Sequence, residues 1–271
     1  MSLYGWKSTR ILCGAISALA CCAAADQPPN TLTAAEMHDG WTLLFDGKTM
    51  AGWDDPRLKT PPGDAWTIED GCLKATAHPR ITEDLFTART FGDFELEFDW
   101  RISPGGNSGV KYRIQDHRFV APSKGTFEQS VEQSFQHPVS QRPARGQDYV
   151  IGFEYQVIDN SEVRNSPKQT AGALYDMVAP SAQAARPVGE FNHSRILVRG
   201  NHVEHWMNGV KVVDSALNSP EALAGIKTRW GIAPHVYELL AKQPKKDCSI
   251  SLQNHGADAW FRNIKIRTLA R

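Results

Sequence analysis

The chain alternates hydrophobic and polar residues in many short runs. In Phe94–Trp100, for example, every second residue is Phe, Leu or Trp, and the residues between them are acidic. This period of two is typical of a β-strand with one buried face. The strands predicted in this way are Trp41–Phe45, Ala65–Glu69, Cys72–Thr76, Phe94–Trp100, Val110–Ile114, Phe153–Val157, Arg195–Arg199, His202–Met207, Val210–Val213, Ser249–Gln253 and Phe261–Arg267. Many short strands at this spacing predict an all-β sandwich or barrel.

Few segments depart from the strand pattern. Helical periodicity is confined to a turn at Thr33–Glu36 and two short pieces, Ser219–Ala224 and Tyr237–Lys242. Phe119–Asp148 is long, polar and rich in Gln, Ser and Pro, and Ser161–Thr170 is a shorter polar loop. Loops as long as the first are commonly functional lids, specificity loops or disordered insertions. We see no internal repeat and no linker, so we predict one large β domain with long loops.

The N-terminus carries the pattern of an export signal. A basic start is followed by the short apolar stretch Ile11–Ala20 and by Ala23–Ala25, whose small side chains suit cleavage. Lipid anchoring at Cys21 or Cys22 is the alternative, and no apolar run is long enough for a transmembrane helix. The expected location is therefore periplasmic or extracellular. The predicted divisions are a signal peptide (1–25), a polar segment (26–39) and the β domain (40–271).

The composition narrows the range of partners. The 30 basic and 30 acidic residues give a formal net charge of zero. No basic stripe alternates with aromatic residues, so we expect no nucleic-acid partner. The eight tryptophans suit either core anchors or platforms on which sugar rings stack.

Two cysteines remain once the proposed signal is removed, Cys72 and Cys248. In an oxidising compartment they could form a disulfide that closes a very long loop. The alternative is two buried free thiols.

The strand residues that alternate with the core-facing ones suggest a polar sheet face. Where Val110, Tyr112 and Ile114 point into the core, Lys111 and Arg113 point away from it. The same argument, applied to two further strands, places more polar residues outward: Glu154, Gln156, Gln253 and His255. Such a face could bind sugar hydroxyls and supply an acid and a base. An ordinary solvated face is the alternative.

Local motifs sharpen this hypothesis only slightly. Pro104–Gly109 is rich in glycine but opens a strand and not a helix, so it is no phosphate-binding loop; Asn107 within it is a candidate sugar contact. The chain has no Gly-x-Ser-x-Gly elbow, no His-Glu-x-x-His, no Cys-x-x-Cys and no dinucleotide fingerprint. Glu154 and Glu204 are the candidates for a carboxylate pair of ordinary glycoside hydrolysis.

Longer strings resemble one family in order along the chain. They are Gly40–Lys48 with Gly52-Trp53, Asn107–Arg113, Glu154–Asp159, Ala171–Tyr175 with Ala179-Pro180, Gly189–Asn192, Glu204–Gly209, Leu252–Gly256 and Trp260–Ile264. Together they resemble the 3-keto-disaccharide hydrolase family, long catalogued as a domain of unknown function. The resemblance covers positions 40 to 267, nearly all of the chain after the proposed signal. It implies a concanavalin A-like jelly-roll β-sandwich and activity on glycosides whose sugar carries a 3-keto group.

The resemblance also implies a set of site residues. The pocket residues carried over are Glu154, Gln156, Asp159, His205, Gln253 and His255, with Asn107, Lys111 and Arg113 beside them. A 3-ketone acidifies the C2 hydrogen, so a base can remove it, the C1 substituent can leave, and water can add to the enone. We expect Glu154 or His255 to be the base and His205 the acid.

The remaining residues have supporting roles in this scheme. Lys111 or Arg113 would stabilise the enolate, and Gln156, Gln253 and Asn107 would orient the sugar. No cofactor is required, although a divalent metal could bridge Glu154, Asp159 and a histidine. A non-catalytic, lectin-like sugar-binding module is the alternative function, because fold does not fix function; a structural surface protein is a further one.

Two features depart from the family pattern. The Phe119–Asp148 insertion is longer than the short link expected there, which leaves the substrate range open. The stretch after Asp159 lacks a histidine that we would expect in many relatives. That absence bears on any metal or proton-transfer role for the loop.

Overall fold

The alternating runs form two antiparallel sheets in a computed structural model that describes residues 27–56, 61, 63–77, 83–120, 147–163, 166–230, 234–242 and 244–270. The strands are β1 (Thr42–Leu43), β2 (Trp53–Asp54), β3 (Trp66–Glu69), β4 (Cys72–Ala75), β5 (Leu85–Thr87), β6 (Phe94–Ile102), β7 (Asn107–Val120), β8 (Gln147–Ile158), β9 (Asn192–Arg199), β10 (His202–Met207), β11 (Val210–Ala216), β12 (Ser251–Leu252) and β13 (Ala259–Thr268). The predicted all-β sandwich is confirmed. The proposed signal peptide, with Cys21 and Cys22, lies outside the described residues.

The two sheets differ in size. The larger sheet has the order β11-β10-β9-β6-β13-β4-β3, and β1 also pairs with β13. The smaller sheet has the order β2-β5-β12-β7-β8. Neighbours that are distant in sequence, such as β6 and β13, pair because each strand has a hydrophobic face that only the opposite sheet can bury.

The core fills the space between the sheets with large aromatic side chains. Phe98 of the larger sheet meets Tyr155 of the smaller one edge to face, with ring centroids 5.6 Å apart. Phe94 and Tyr112 make a second such contact at 6.2 Å. These side chains have the inward parity predicted from the alternation, and each is at most 1% exposed. Edge-to-face pairs of this kind add roughly 1 kcal/mol each beyond the burial of their area.

The hairpin of β7 and β8 is longer than predicted. The predicted strands Val110–Ile114 and Phe153–Val157 extend outward until Phe119 pairs with Asp148 and Val120 with Gln147. The first and last residues of the supposed Phe119–Asp148 loop therefore belong to strands, which corrects that prediction. The rest of the insertion, 121–146, lies outside the described residues.

An irregularity interrupts β7. The pairing with β8 shifts between Tyr112 and Asp116, and Arg113 has a φ of 51°, which is the left-handed region that few non-glycine residues adopt. A bulge of this kind changes which face of the sheet the following side chains reach. The simple parity rule consequently fails from Arg113 onward.

Three helices accompany the sheets in the described residues: α1 (Ala34–His38), α2 (Pro220–Trp230) and α3 (Pro234–Ala241). Thr33 and Glu36 cap the first of these reciprocally, as a Thr-x-x-Glu sequence predicts. The other two extend the short helical pieces predicted from the sequence. No helix in the described part of the chain is long and apolar enough to cross a membrane.

Cys72 and Cys248 are buried free thiols. The Cys72 thiol lies against the carbonyl oxygen of Asp70, and the Cys248 thiol against that of Lys245. Burial raises the pKa of both thiols. The predicted disulfide is therefore wrong, and the alternative of two free thiols holds.

Candidate active site

Polar residues form one row across the smaller sheet. Backbone pairing places Ser251 of β12 opposite Lys111 of β7, and Lys111 opposite Glu154 of β8. Beyond the edge of β8, the amide of Tyr175 donates to the carbonyl oxygen of Glu154 at 3.0 Å, so this segment extends the row by one position. Because paired residues share a face of a sheet, the side chains of these four residues lie together on the face that points away from the core.

Glu154 is the buried carboxylate of this row. Glu154 is 7% exposed, and none of the described residues donates a hydrogen bond to its carboxylate. Burial raises the pKa of Glu154 above its usual value, and the positive charges of Lys111 and Arg229 oppose that rise. A buried carboxylate with a raised pKa and free oxygens is well suited to accept a proton.

Lys111 is held in a fixed orientation beside it. Its ammonium donates to Asp84 Oδ2 at 2.8 Å, and both side chains are at most 5% exposed. The same carboxylate accepts weaker bonds from the Ser251 hydroxyl at 3.4 Å and from the Asn254 amide at 3.3 Å. A lysine fixed in this way can present the rest of its donors to a developing negative charge.

Side-chain amides occupy the next positions along the same face. Gln156 pairs with Gly109 in the backbone register, and the amide of Gln253 donates to the Gly109 carbonyl oxygen at 2.8 Å. Gln156 is 1% exposed; its Nε2 reaches Asn107 Oδ1 at 3.4 Å, and its Oε1 is buried without a partner. An unpaired buried acceptor costs about 1–3 kcal/mol, so this oxygen is prepared for a hydroxyl donor.

Gly109 leaves room for the carboxylate. A Cβ at this position would overlap Glu154 Oε1 and lie 2.9 Å from Cδ and Cγ of the same side chain. The Glu154 side chain therefore folds over the backbone of the neighbouring strand. His255 lies two residues beyond Gln253, and both are partly buried. The structure thus brings Glu154, Lys111, Gln156, Asn107 and Gln253 to one face, with His255 close in sequence to its edge.

Asp159 has a different environment. Its Oδ2 accepts the Gly105 amide at 2.9 Å, and its Oδ1 accepts the amide and hydroxyl of Ser161 at 2.9 and 2.8 Å. Burial would raise the pKa of Asp159, but these hydrogen bonds outweigh it and lower the pKa. It caps the 3₁₀ turn Asn160–Glu162, and both oxygens are occupied. Asp159 therefore fixes the backbone at Gly105 and Ser161, and it makes no hydrogen bond to Gln156, Gln253 or Asn107.

A cleft of about 340 Å³ opens beside Asp159. Its lining includes Trp100, Ile102 and the segment 185–190. Of the predicted site residues it contains only Asp159. The cleft is therefore at the end of the sandwich and separate from the row that contains Glu154.

His205 is a core residue. It is fully buried, its Nε2 lies 2.8 Å from the Tyr112 hydroxyl, and its Nδ1 lies 2.9 Å from the Gly172 carbonyl oxygen. Burial lowers the pKa of His205 to about 4. Tyr112 points between the sheets, so the imidazole lies on the opposite side of the smaller sheet from Glu154. The structure therefore places His205 in the core and not on the polar face, where the predicted acid would act.

Arg113 is also directed away from the row. Its guanidinium pairs with Asp93 at 2.8 Å and donates to the carbonyl oxygens of Gly200 and Lys246. Asp93 precedes β6 and Gly200 lies in the β9–β10 turn, so the arginine ties the smaller sheet to the larger one. The bulge in β7 explains why the parity rule predicted the wrong face, and Arg113 is excluded from contact with the Glu154 row.

In the part of the chain that the structure describes, Glu154, Asp159 and a histidine do not come together as the divalent-metal site considered from the sequence. Among the described residues, one group of three such side chains has ligand atoms within 4.8 Å of one another, and it contains neither Glu154 nor Asp159. It consists of His202, Glu204 and Asp214 on the outer face of the larger sheet. The ammonium of Lys211 pairs with both carboxylates there, at 3.3 Å from Glu204 Oε1. A cation is thus already present, and the group does not fit a metal. Glu204 also lies on the wrong sheet for a carboxylate pair with Glu154.

Comparison with protein families gives one clear match. Residues 40–267 match the model of the 3-keto-alpha-glucoside-1,2-lyase-like domain, which includes every strand of both sheets except the last residue of β13. The chain belongs to this family. The resemblance read from the sequence is thereby confirmed.

One curated relative and two solved structures are similar to the chain. The 3-keto-disaccharide hydrolase of Bacteroides thetaiotaomicron is 32% identical over 268 residues, covering 88% of this chain and 84% of that protein. A crystal structure from Parabacteroides distasonis, provisionally named a glycosyl hydrolase, superposes with a TM-score of 0.67 at 26% identity, covering 89% of this chain and all of the other. A second from the same organism has a TM-score of 0.55 at 21% identity, covering 84% of this chain and 99% of the other.

Some residues beside the lyase-like domain's polar row were not predicted from the sequence. They are Asp84, Tyr175, Asp176 and Arg229. Asp84 lies before a short strand, and the others lie in a loop and a helix, so strand parity could not find them. The string Ala171–Tyr175 was noted as a family landmark, and it is the signal that could have indicated Tyr175.

Proposed function

We propose that this protein cleaves glycosides whose sugar carries a 3-keto group. The observation that carries the proposal is Glu154, a buried carboxylate that accepts no hydrogen bond from the described residues and lies between two cations. The names of the relatives support it: the family is described as lyase-like, and the Bacteroides protein as a 3-keto-disaccharide hydrolase. A lyase step followed by addition of water gives the same products as a hydrolase.

In the proposed reaction the 3-ketone makes the C2 hydrogen acidic. Glu154 takes that proton, and the C2–H electron pair is delocalised onto the 3-keto oxygen as an enolate. When the ketone re-forms, this pair makes the C1=C2 double bond, and the C1–O bond breaks with its electrons going to the leaving oxygen. The leaving oxygen takes a proton. Water then adds hydroxyl to C1 and hydrogen to C2, so that one water is consumed in all. General base catalysis of this kind contributes about 10²–10⁴-fold.

The neighbouring groups serve the intermediate. The Lys111 ammonium, held by Asp84, supplies positive charge for the enolate that forms on the 3-keto oxygen. Gln156 and Asn107 offer an amide acceptor and donors for sugar hydroxyls, and Gln253 lies beside them. His255 is our candidate for the donor of a proton to the leaving oxygen, because His205 lies in the core.

The substrate test compares a disaccharide with its 3-keto form. We expect release of free sugar from the keto form only. Glu154→Gln should reduce this release by about 10²–10⁴-fold, whereas Glu204→Gln, on the outer face of the larger sheet, should leave it unchanged. Equal turnover of both disaccharides would contradict the proposal. Binding of the sugar without turnover of either would favour the lectin-like alternative.

The mechanism has its own test. In D₂O, elimination and hydration place deuterium at C2 of the released keto sugar, whereas direct displacement at C1 leaves hydrogen there. The control is the product sugar incubated in D₂O with the Glu154→Gln variant, which measures uncatalysed exchange at C2. Release of sugar without enzyme-dependent deuterium at C2 would rule out the elimination.

We further propose that the protein acts outside the cytoplasm. The support is the basic start, the short apolar stretch and the alanine-rich site before Asp26. Expression with fractionation and N-terminal sequencing of the product tests this. A mature protein that begins near Asp26 supports secretion, a lipid-modified Cys21 or Cys22 supports anchoring, and an intact N-terminus in the cytoplasm contradicts both.

A further inference from the structure

Arg229 at the end of α2 reaches the edge of the Glu154 row. Its guanidinium donates to Asp176 Oδ2 at 2.6 Å and lies over the Tyr175 ring, 4.5 Å from the ring centre. Tyr175 is the backbone neighbour of Glu154 at the open edge of β8. A helix distant in sequence therefore supplies a cation to the site, on the side of Glu154 that is opposite Lys111.

The docking of α2 fixes this placement. A Cβ on Gly225 would lie 2.7 Å from both the Asp176 carbonyl oxygen and Met177 Cα, so only glycine allows the helix to approach this closely. Near the start of α2, Lys168 pairs with Glu221 at 3.0 Å and donates to the Met177 carbonyl oxygen at 2.7 Å. Arg229 follows Gly225 by four residues, one turn further along the same side of the helix.

Asp176 is itself held in place. It adopts a φ of 60°, and its Oδ1 accepts the Gln169 side-chain amide at 2.8 Å. Its backbone amide donates to the Lys168 carbonyl oxygen at 3.0 Å. The carboxylate that orients Arg229 is thus fixed from two further directions, which is how a supporting residue keeps a charged side chain in one geometry.

We propose that Arg229 is a positioning residue of the Glu154 site: it holds the Tyr175 ring opposite Glu154 and keeps a second positive charge beside that carboxylate. This inference rests on the proposed function, in which Glu154 is the base. Burial alone would favour the neutral acid, which cannot take a proton from C2. Two flanking cations, Lys111 and Arg229, favour the ionised form in which the base is competent.

Other charged groups near Glu154 also influence its ionisation, and the experiment must distinguish their effect from that of Arg229. Asp84 pairs with Lys111 and offsets part of its positive charge, and Asp176 does the same for Arg229. The negative charge of Asp176 also raises the pKa of Glu154 directly. The helix α3, which packs on β8, brings Tyr237 and Glu238, and the latter pairs with Lys242 on the surface. His255 lies beyond the end of β12.

The kinetic experiment compares Arg229→Met with Lys227→Met, which removes an exposed positive charge from the same helix. We expect Arg229→Met to lower kcat for the 3-keto disaccharide about 10-fold to 100-fold with KM changed less, and to move the acidic limb of the pH profile of kcat/KM to higher pH. Lys227→Met should match the wild type. Arg229→Ala should regain part of its activity in guanidinium at millimolar concentration. An unmoved acidic limb together with kcat within twofold of Lys227→Met would overturn the proposal.

A second measurement does not depend on turnover. The carboxyl carbon of Glu154, assigned with Glu154→Gln in protein labelled with ¹³C at glutamate, can be titrated by NMR. A higher pKa of Glu154 in Arg229→Met than in Lys227→Met supports the positioning role even if no keto sugar is cleaved, in which case the proposed function alone fails. The same pKa in both variants overturns the role. Arg229→Lys keeps the positive charge but lacks the planar guanidinium group. This variant replaces Arg229→Met in the experiment if the methionine variant does not fold.

Discussion

Glu154 folds its carboxylate over Gly109 on the adjacent strand, where any side chain would meet it. The φ of Gly109 is not in the left-handed region, so the glycine is required by space and not by backbone conformation. The relationship makes Gly109 part of the site although it has no side chain.

Gly109→Ala is therefore expected to reduce activity without unfolding the protein. The new methyl group pushes the Glu154 carboxylate from its place, and displacement of a base by about 1 Å can cost roughly 100-fold in rate. The measurement is kcat/KM for the 3-keto disaccharide beside a thermal melt. Gly63→Ala is the control, because a Cβ there meets nothing within 4 Å. Equal activity of Gly109→Ala and Gly63→Ala would show that the position of the Glu154 carboxylate over Gly109 does not affect catalysis.

The core histidine predicts a pH dependence of stability. Burial lowers the pKa of His205 to about 4, below the ordinary value near 6.5 that it regains on unfolding. The unfolded chain therefore binds a proton that the folded one does not between these two values. This part of the stability is complete above about pH 6.5 and is lost as the pH falls towards 4, by about 3 kcal/mol in all.

Urea unfolding between pH 7 and 4.5 checks this expectation. His205→Gln keeps a hydrogen-bonding side chain and should show a smaller loss over the same interval. It should also retain turnover of the keto sugar once folded, because His205 lies between the sheets. A parallel loss of stability in both proteins would contradict the assignment, as would a specific loss of kcat.

The Arg113–Asp93 pair predicts a loss of stability with no loss of binding. Arg113→Met leaves Asp93 without its buried cation, and breaking a buried ion pair in this way costs about 3–5 kcal/mol. We expect a lower free energy of unfolding in urea and an unchanged KM at a temperature where the variant is folded. Arg199→Met, at an exposed position of the larger sheet, is the control. A raised KM in Arg113→Met alone would return this residue to the site.

The two buried cysteines predict insensitivity to reductant. Thermal melts with and without a thiol reductant should coincide, because Cys72 and Cys248 form no bond that it could cleave. Alkylation under native conditions should be slow at both and become fast in denaturant, since burial disfavours their thiolates. Peptide mapping without reduction gives the direct check, and a cross-linked peptide containing both residues would disprove the assignment.

Much of the fold followed from alternation because each strand buries one face. Phe94–Trp100 and Val110–Tyr112 have the predicted parity, and that parity alone located Lys111, Glu154 and Gln156 on one face. The Arg113 side chain could not be placed in this way, since one bulge reverses the rule and no local signal marks it.

The edges of the site were beyond the reach of strand patterns for a different reason. Tyr175 and Arg229 reach Glu154 through a loop that pairs with an open strand edge and a helix docked against that loop. Their proximity depends on close packing at Gly225, which the sequence shows only as a glycine directly after the predicted helical piece Ser219–Ala224. His205 was carried over from a family string, and its core position follows from the alternation of β10, in which Val203, His205 and Met207 share the buried face.

The paired ends of β7 and β8 also bear on how this family can change. Val120 pairs with Gln147 at the end of the hairpin. Val120 is nine residues from Lys111 along β7, and Gln147 is seven residues from Glu154 along β8. Extra loop length costs little free energy once its ends are fixed. The length of the chain between these two ends can therefore change at little cost in stability, while Lys111 and Glu154 keep their pairing in the sheet.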